Sequence, residues 1–234
     1  MSGITARGFL LPRPNWNRCR QRFVFALLGV GLLSLSAALL GQEGWEKRNS
    51  WQRPTEVMDA LGIRPGSVVA DVGAGTGYFT FHLAGRVGPR GKVYAEDVRD
   101  QDLAKVRERA KKEGLAQIEI LLGTQSDPRL PPGSLDAILV VNAYHEMKEY
   151  DAMLQGIVRA LKPGGLLAII DHQTKPGEPR STYLEHHRIP QELVREDAAH
   201  NGLHFLREEK GFEPEKSEHW FFLIFERPKP MPIQ

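Results

Sequence analysis

Apolar positions recur along this chain in two rhythms. Ser67–Val72 (SVVADV), Ile118–Leu122, Leu135–Val141 (LDAILVV) and Leu166–Asp171 (LLAIID) are short, nearly continuous apolar runs. That pattern suits strands buried on both faces of a sheet. Lys92–Glu96 (KVYAE) reads as another strand. Between the runs the spacing lengthens to three and four residues. Pro54–Leu61, Thr76–Val87, Asp100–Glu113, Glu149–Leu161 and Ile189–Asn201 read as helices, with Phe79, Leu83 and Val87 on one face of the second. Gly62, Gly114 and Gly202 stand just past three of their ends, where a left-handed residue closes a helix. His204–Glu209 and Trp220–Glu226 (WFFLIFE) then follow each other with no helix between them. Helices alternating with strands imply parallel strands, and two adjacent strands imply an antiparallel pair. The expected fold class is α/β, a doubly wound, mostly parallel seven-stranded sheet with an antiparallel last strand.

The first forty residues follow neither rhythm. Residues 1–22 contain Arg7, Arg13, Arg18, Arg20 and Arg22 and no acid, and Phe23–Gln42 carries no charge. A basic region before an apolar run reads as a signal peptide or a transmembrane anchor. Twenty residues at about 1.5 Å each just cross a hydrocarbon core of about 30 Å. No clean small-x-small cleavage site follows. The expected organisation is a basic region at 1–22, an apolar helix at 23–42, a polar linker at 43–53, a folded domain at 54–228 and a proline-rich tail at 229–234. Arginines on the near side predict an inside N-terminus, with the domain membrane-anchored or exported into the cell envelope.

Composition narrows the chemistry. The 234 residues hold 31 basic and 29 acidic side chains, so no general basic field argues for nucleic acid. Cys19 is the only cysteine, which excludes intrachain disulfides, thiolate zinc clusters and multi-thiol chemistry.

The chemistry-bearing motif is Asp71-Val72-Gly73-Ala74-Gly75-Thr76-Gly77-Tyr78, at a strand-to-helix turn. Glycines there admit φ > 0 and let a ligand approach the backbone. The spacing is G-x-G-x-G, one residue shorter than a dinucleotide fingerprint, and Asp71 stands just before it. A carboxylate at that place repels a pyrophosphate and suits a cationic amino group. Glu96 and Asp97 end the next strand, where a carboxylate takes both hydroxyls of a ribose.

V-A-D-V-G-A-G-T-G-Y-F-T resembles motif I of class I S-adenosylmethionine-dependent methyltransferases. K-V-Y-A-E-D resembles their acidic second motif, D-P-R-L-P-P-G-S-L-D-A-I-L-V-V the segment through strand four, and L-K-P-G-G-L-L the motif before strand five. The resemblance spans about residues 54–172. It implies the Rossmann-like methyltransferase fold and S-adenosylmethionine as cofactor. It also implies that Gly73, Gly75 and Gly77 line the methionine part of the cofactor and that Asp71 faces its amino group. Asp97 takes the ribose hydroxyls, with Glu96 as the alternative, and Asn142 belongs to the same lining. Many relatives end strand three in Gly-Asp, whose acid meets the adenine amino group. This chain has Gly123-Thr124, which makes Asp127 the nearest substitute carboxylate.

The acceptor side follows strand four, at Asn142-Ala143-Tyr144-His145-Glu146. This is not the N-P-P-Y signature of amide or adenine N-methylation. His145 is the candidate general base because imidazole titrates near neutrality. Tyr144 is a candidate for positioning an acceptor or meeting the sulfonium by cation–π attraction. Asp171, His172 and Glu185–Arg188 form a second polar set at the same sheet edge. His145, His172 and His187 thus have the means to converge, although no ligand spacing demands a metal and none is assigned. Residues 173–188 read as a charged loop or a lid. The expected activity is methyl transfer to a small-molecule acceptor. The alternative is a non-catalytic exported domain that binds the same cofactor or a protein partner, since an exported domain sits where this cofactor is not normally supplied.

Overall fold

Apolar runs too short for helices assemble into one twisted sheet in the computed structural model, which describes residues 45–211 and 219–230. The chain divides into Met1–Lys47 and Arg48–Gln234, and the architecture below is that of the second unit. Strands β1 (Val68–Val72), β2 (Lys92–Asp97), β3 (Ile118–Leu122), β4 (Leu135–Val141) and β5 (Leu161–His172) run parallel. Strand β7 (Trp220–Glu226) pairs antiparallel with β5, and β6 (His204–Glu208) pairs antiparallel with β7 at the edge. The order is β3-β2-β1-β4-β5-β7-β6, the mixed seven-stranded sheet that the alternation of patterns implies. The order reverses between β1 and β4, where a doubly wound sheet opens a crevice at its carboxyl edge.

Helices cover both faces. They are α1 (Pro54–Ala60), α2 (Tyr78–Val87), α3 (Asp100–Glu113), α4 (Tyr150–Ala160), α5 (Arg180–Glu185) and α6 (Gln191–His200). Alternate residues of the central strands, Ala70, Val72, Ile138, Val140, Leu167 and Ile169, join Leu154 and Ile157 of α4 and Val194 of α6 in one core cluster. Helices α2 and α3 lean on the β1–β2–β3 side through buried Phe79, Leu83, Leu103 and Val106. Each buried Leu, Ile or Phe contributes about 1.5–3 kcal/mol by leaving water, so this apolar patterning drives the fold.

Several local outcomes differ from the pattern reading. Residues 48–52, within the expected linker, are helical, and Trp51 meets Trp220 with ring centroids 5.8 Å apart. Strand β5 begins at Leu161, five residues early. Leu161 pairs with Leu135 of β4, Lys162–Gly165 bulge out of that ladder, and pairing resumes between Leu166 and Ala137. The stretch read as a loop or lid contains α5, anchored by buried Tyr183, whose hydroxyl accepts the Glu178 N–H at 2.8 Å. The basic region 1–22 and the apolar segment 23–42 lie outside the described residues. Among the described residues no helix is long and apolar enough to cross a membrane.

Candidate functional site

The glycine turn is shaped by what the neighbouring strand ends leave free. Gly73 has φ +73°, and a Cβ there would lie 2.5 Å from the Ala143 side chain beyond β4. Only glycine combines that backbone angle with that approach. Gly75 and Gly77 also have positive φ, 54° and 88°, and Gly77 caps the start of α2.

Asp97 ends β2, almost wholly buried, and faces the turn. Its Oδ2 accepts the Gly75 N–H at 2.8 Å, and its Oδ1 accepts the Arg99 N–H at 2.9 Å and Arg99 Nε–H at 3.3 Å. A carboxylate has about four acceptor positions and three are taken, so Asp97 keeps one for a ligand's hydroxyl, and a second hydroxyl displaces the long Arg99 Nε–H contact. Glu96 points to the other face of β2 and is 1% exposed. It accepts the Gly73 N–H, and its Oε1 is buried without a hydrogen-bond partner. A Cβ at Gly123 would lie 1.8 Å from that oxygen, so Gly123 makes the room that Glu96 occupies. Burial pushes the Glu96 carboxyl up to about 8, helped by Asp97, Asp71 and Asp127 and opposed by the Gly73 N–H. The folded state therefore holds this proton more tightly than the unfolded chain, whose carboxyl titrates near 4.5. Stability is fully present below that value and is lost as pH climbs towards 8. Glu96→Gln has no proton to lose. Its thermal midpoint should exceed that of the parent at pH 8, with the gain shrinking towards pH 4.5. A gain independent of pH in thermal unfolding would refute the neutral buried acid.

Two cavities flank Gly73 and Asn142, which line both. One is lined by Glu96, Asp97, Arg99, Thr124, Gln125 and Met147, among others. The other is lined by Arg48, Asp71, Gly75, Thr76, Tyr78 and Arg99, among others. Asn142 adopts φ +52°, turning the chain sharply at the end of β4. Asp71 is buried and accepts the Thr80 hydroxyl at 2.6 Å. Burial raises its carboxyl to about 6, against the pull of Thr80 and the Arg48 charge, so it is mainly ionised at neutral pH. Arg48 holds its guanidinium 3.8 Å from the Tyr78 ring centroid, and its Nε–H donates to Gln52 Oε1 at 3.0 Å. The second cavity thus offers two cations, Arg48 and Arg99, and one anion, Asp71, groups that can take a ligand's carboxylate and its amino group. Arg48 was hidden in sequence because residues 45–52 carry too few apolar positions to reveal their helix. The i,i+4 pair of Arg48 and Gln52 is the one signal present.

Beyond β4 a single 3₁₀ turn, Tyr144–Glu146, presents His145. Its ring is buried, and Nδ1 lies 2.8 Å from Asp171 Oδ1, an acid at the end of β5 with no exposed surface. Asp171 also accepts the backbone N–H groups of His145 at 3.1 Å and His172 at 2.7 Å. A carboxylate only accepts, so the His145 proton stands on Nδ1 and the lone pair on Nε2. Burial lowers the imidazole's pKa, but the Asp171 hydrogen bond and charge, with Glu146, outweigh it and the net shift is upward. His145 Nε2 lies 3.3 Å from His187 Nδ1 and 3.7 Å from Glu146 Oε1.

Two expected assignments and one convergence left open by the sequence fail on geometry. Tyr144 is turned into the core, with its hydroxyl donating to Asp197 of α6 at 2.8 Å, and it lines neither cavity. Asp127 is outside both linings. Its Oδ1 accepts the Arg129 N–H at 2.9 Å and lies 3.7 Å from Arg159, so it caps a turn. His172 does not join His145 and His187, because its ring stacks on Trp220 with centroids 3.8 Å apart.

Residues 69–165 match a family model described as a methyltransferase domain. The chain is 31% identical over 130 residues to a ubiquinone/menaquinone biosynthesis C-methyltransferase, UbiE, of Ectopseudomonas mendocina, covering 55% of this chain and 50% of that protein. It is 28% identical over 127 residues to a demethylmenaquinone methyltransferase of Bacillus cytotoxicus, covering 54% and 53%. The chain therefore spans about half the length of these curated relatives. Among solved structures, a SAM dependent methyltransferase from Aquifex aeolicus superimposes with a TM-score of 0.65 at 27% identity, covering 77% of this chain and 92% of that one.

Proposed function

We propose that this chain, which through residues 69–165 belongs to the class I S-adenosylmethionine-dependent methyltransferases, transfers the cofactor's methyl group in line to a small-molecule acceptor. The observation that carries the reading is the pair of cavities meeting at Gly73 and Asn142. Asp97 takes the ribose hydroxyls, with Glu96 beneath the adenosine side. Asp71 faces the amino group and Arg48 the carboxylate of the methionine part. Gly73, Gly75 and Gly77 let the backbone come close, and Asn142 stands where the two parts join. The sulfonium methyl is already activated, so the protein mainly aligns acceptor, methyl and sulfur. His145, oriented by Asp171, offers its lone pair on the acceptor side and receives a proton where the acceptor must lose one.

The relatives' printed names refer to quinones, which supports a small acceptor of that kind for this chain. The same names describe enzymes, which favours turnover over a purely binding role. The apolar segment 23–42 adds a membrane address to the proposal, with the arginines of 1–22 on the inner side. The full chain should then pellet with membranes and resist high-salt extraction. Full release into the soluble fraction would remove the anchor from the proposal. The central test is calorimetric titration of the full chain with S-adenosylmethionine and S-adenosylhomocysteine, followed by turnover on quinone precursors. Micromolar binding with methyl transfer is the expected result. Absence of binding to either would overturn the reading.

A further inference from the structure

We propose that His145, Glu146 and His187 form a binding site for a divalent cation of the zinc class, with Asp171 orienting the buried ligand. Two of the ligands come from the turn after β4 and the third from the residues after α5, so only the folded chain brings them together.

The spacing is the first support. Two ligand atoms about 2.0–2.1 Å from a tetrahedral ion stand about 3.3 Å apart. His145 Nε2 and His187 Nδ1 are 3.3 Å apart, and their rings meet edge to face at 90°. Glu146 Oε1 lies 3.7 Å from the first nitrogen and 3.9 Å from the second. The Glu146 side chain is 52% exposed, so a small rotation brings it to ligand distance.

The second support lies behind the ligand. A metal-bound imidazole characteristically donates its other N–H to a carboxylate, which sets the tautomer and raises ligand basicity. Asp171 does this to His145 at 2.8 Å and is itself fixed by two backbone N–H groups.

Two histidines and one glutamate leave a tetrahedral ion one open position, the arrangement of a site that binds a substrate atom. Glu146 belongs both to this cluster and to the lining of the cavity beside Glu96 and Asp97, so the cluster stands at the edge of that cavity. The chemistry fits an acceptor whose reacting group is itself a ligand, such as a phenolic hydroxyl or a thiol. The ion occupies the His145 Nε2 lone pair and takes over the deprotonating role that this nitrogen has without metal: on coordination the acceptor's proton passes to solvent and leaves an anionic nucleophile. Attack then forms the acceptor–methyl bond as the methyl–sulfur bond breaks, and the sulfur keeps that electron pair as a neutral thioether. This inference rests on the methyl-transfer reading for its substrate class, but the metal site stands or falls by itself.

The test uses the full chain stripped of metal by a chelator and titrated with zinc chloride in competition with a chromogenic chelator. Cobalt chloride serves as the spectroscopic probe. One zinc per chain with submicromolar affinity is expected, with intense visible absorption of tetrahedral cobalt. His187→Ala should weaken zinc at least about 100-fold, and Asp171→Asn about 10–100-fold. His186→Ala, one residue away and outside the cluster, should leave affinity unchanged. His187 is largely exposed, so its removal should leave the circular dichroism spectrum intact. Absence of stoichiometric zinc, or equal affinity in His187→Ala and the parent, overturns the site. Titration of the same samples with S-adenosylmethionine tests the cofactor reading separately.

Discussion

Asp97→Ala is expected to abolish measurable binding of S-adenosylmethionine. A buried carboxylate that accepts two ribose hydroxyls makes two charge-assisted hydrogen bonds, each worth about 1.5–3 kcal/mol. Their loss corresponds to roughly 10²–10⁴ in affinity. Asp97 also accepts the Gly75 and Arg99 N–H groups, so alanine frees the glycine turn as well as removing the acceptor. Asp97→Asn separates the two effects. Its amide oxygen still accepts one backbone N–H, but the charge and half the acceptor capacity are gone. Calorimetric titration should rank the parent far above asparagine, and asparagine above alanine. An Asp97→Ala variant that binds within about threefold of the parent, with an unchanged melting temperature, would show that the ribose is held elsewhere.

The second large effect belongs to the acceptor side. His145→Ala should lower turnover by about 10² or more while leaving affinity for S-adenosylmethionine nearly intact. The imidazole, like Tyr144, is outside the linings of both cavities, so its loss falls on the chemical step rather than on cofactor binding. The substitution also leaves Asp171 buried without its side-chain partner, a cost of about 1–3 kcal/mol in stability. His145→Gln, which keeps a polar group near Asp171, should recover part of the melting temperature and none of the turnover. His172→Ala is the contrasting case. That ring stacks on Trp220, away from His145, and its removal should leave turnover within a few-fold of the parent. A His145→Ala variant that loses cofactor affinity in step with turnover would make the residue a structural support of the pocket.

Much of the glycine turn and its surroundings was legible because it depends on local sequence. The run Ser67–Val72 announces a strand, the glycines at 73, 75 and 77 announce a turn, and Glu96-Asp97 ends the next strand at the same edge. Each of these is a statement about residues within one strand–turn–helix unit. Arg48 was not legible, because its helix is short and polar and gains its place by lying against Tyr78 and the strand ends. Tyr144 and Asp127 show the opposite failure. Both have suitable chemistry close to a motif, yet Tyr144 is drawn into the core by Asp197, 53 residues later, and Asp127 is used up in its own turn.

The sequence by itself determined the α/β class, the mixed seven-stranded sheet, the glycine turn and the two acids that end the neighbouring strand. These follow from hydrophobic period and from short-range turn chemistry, which a chain carries in contiguous residues. Only the tertiary structure decided which polar groups meet across the carboxyl edge. It set His145 on Asp171, brought His187 to 3.3 Å from His145 while turning His172 onto Trp220, and opposed Arg48 to Asp71. Adjacent residues on a strand point to opposite faces, and loops add turns that periodicity does not describe. Convergence of side chains from separate strand ends is therefore a property of packing and register, not of spacing along the chain.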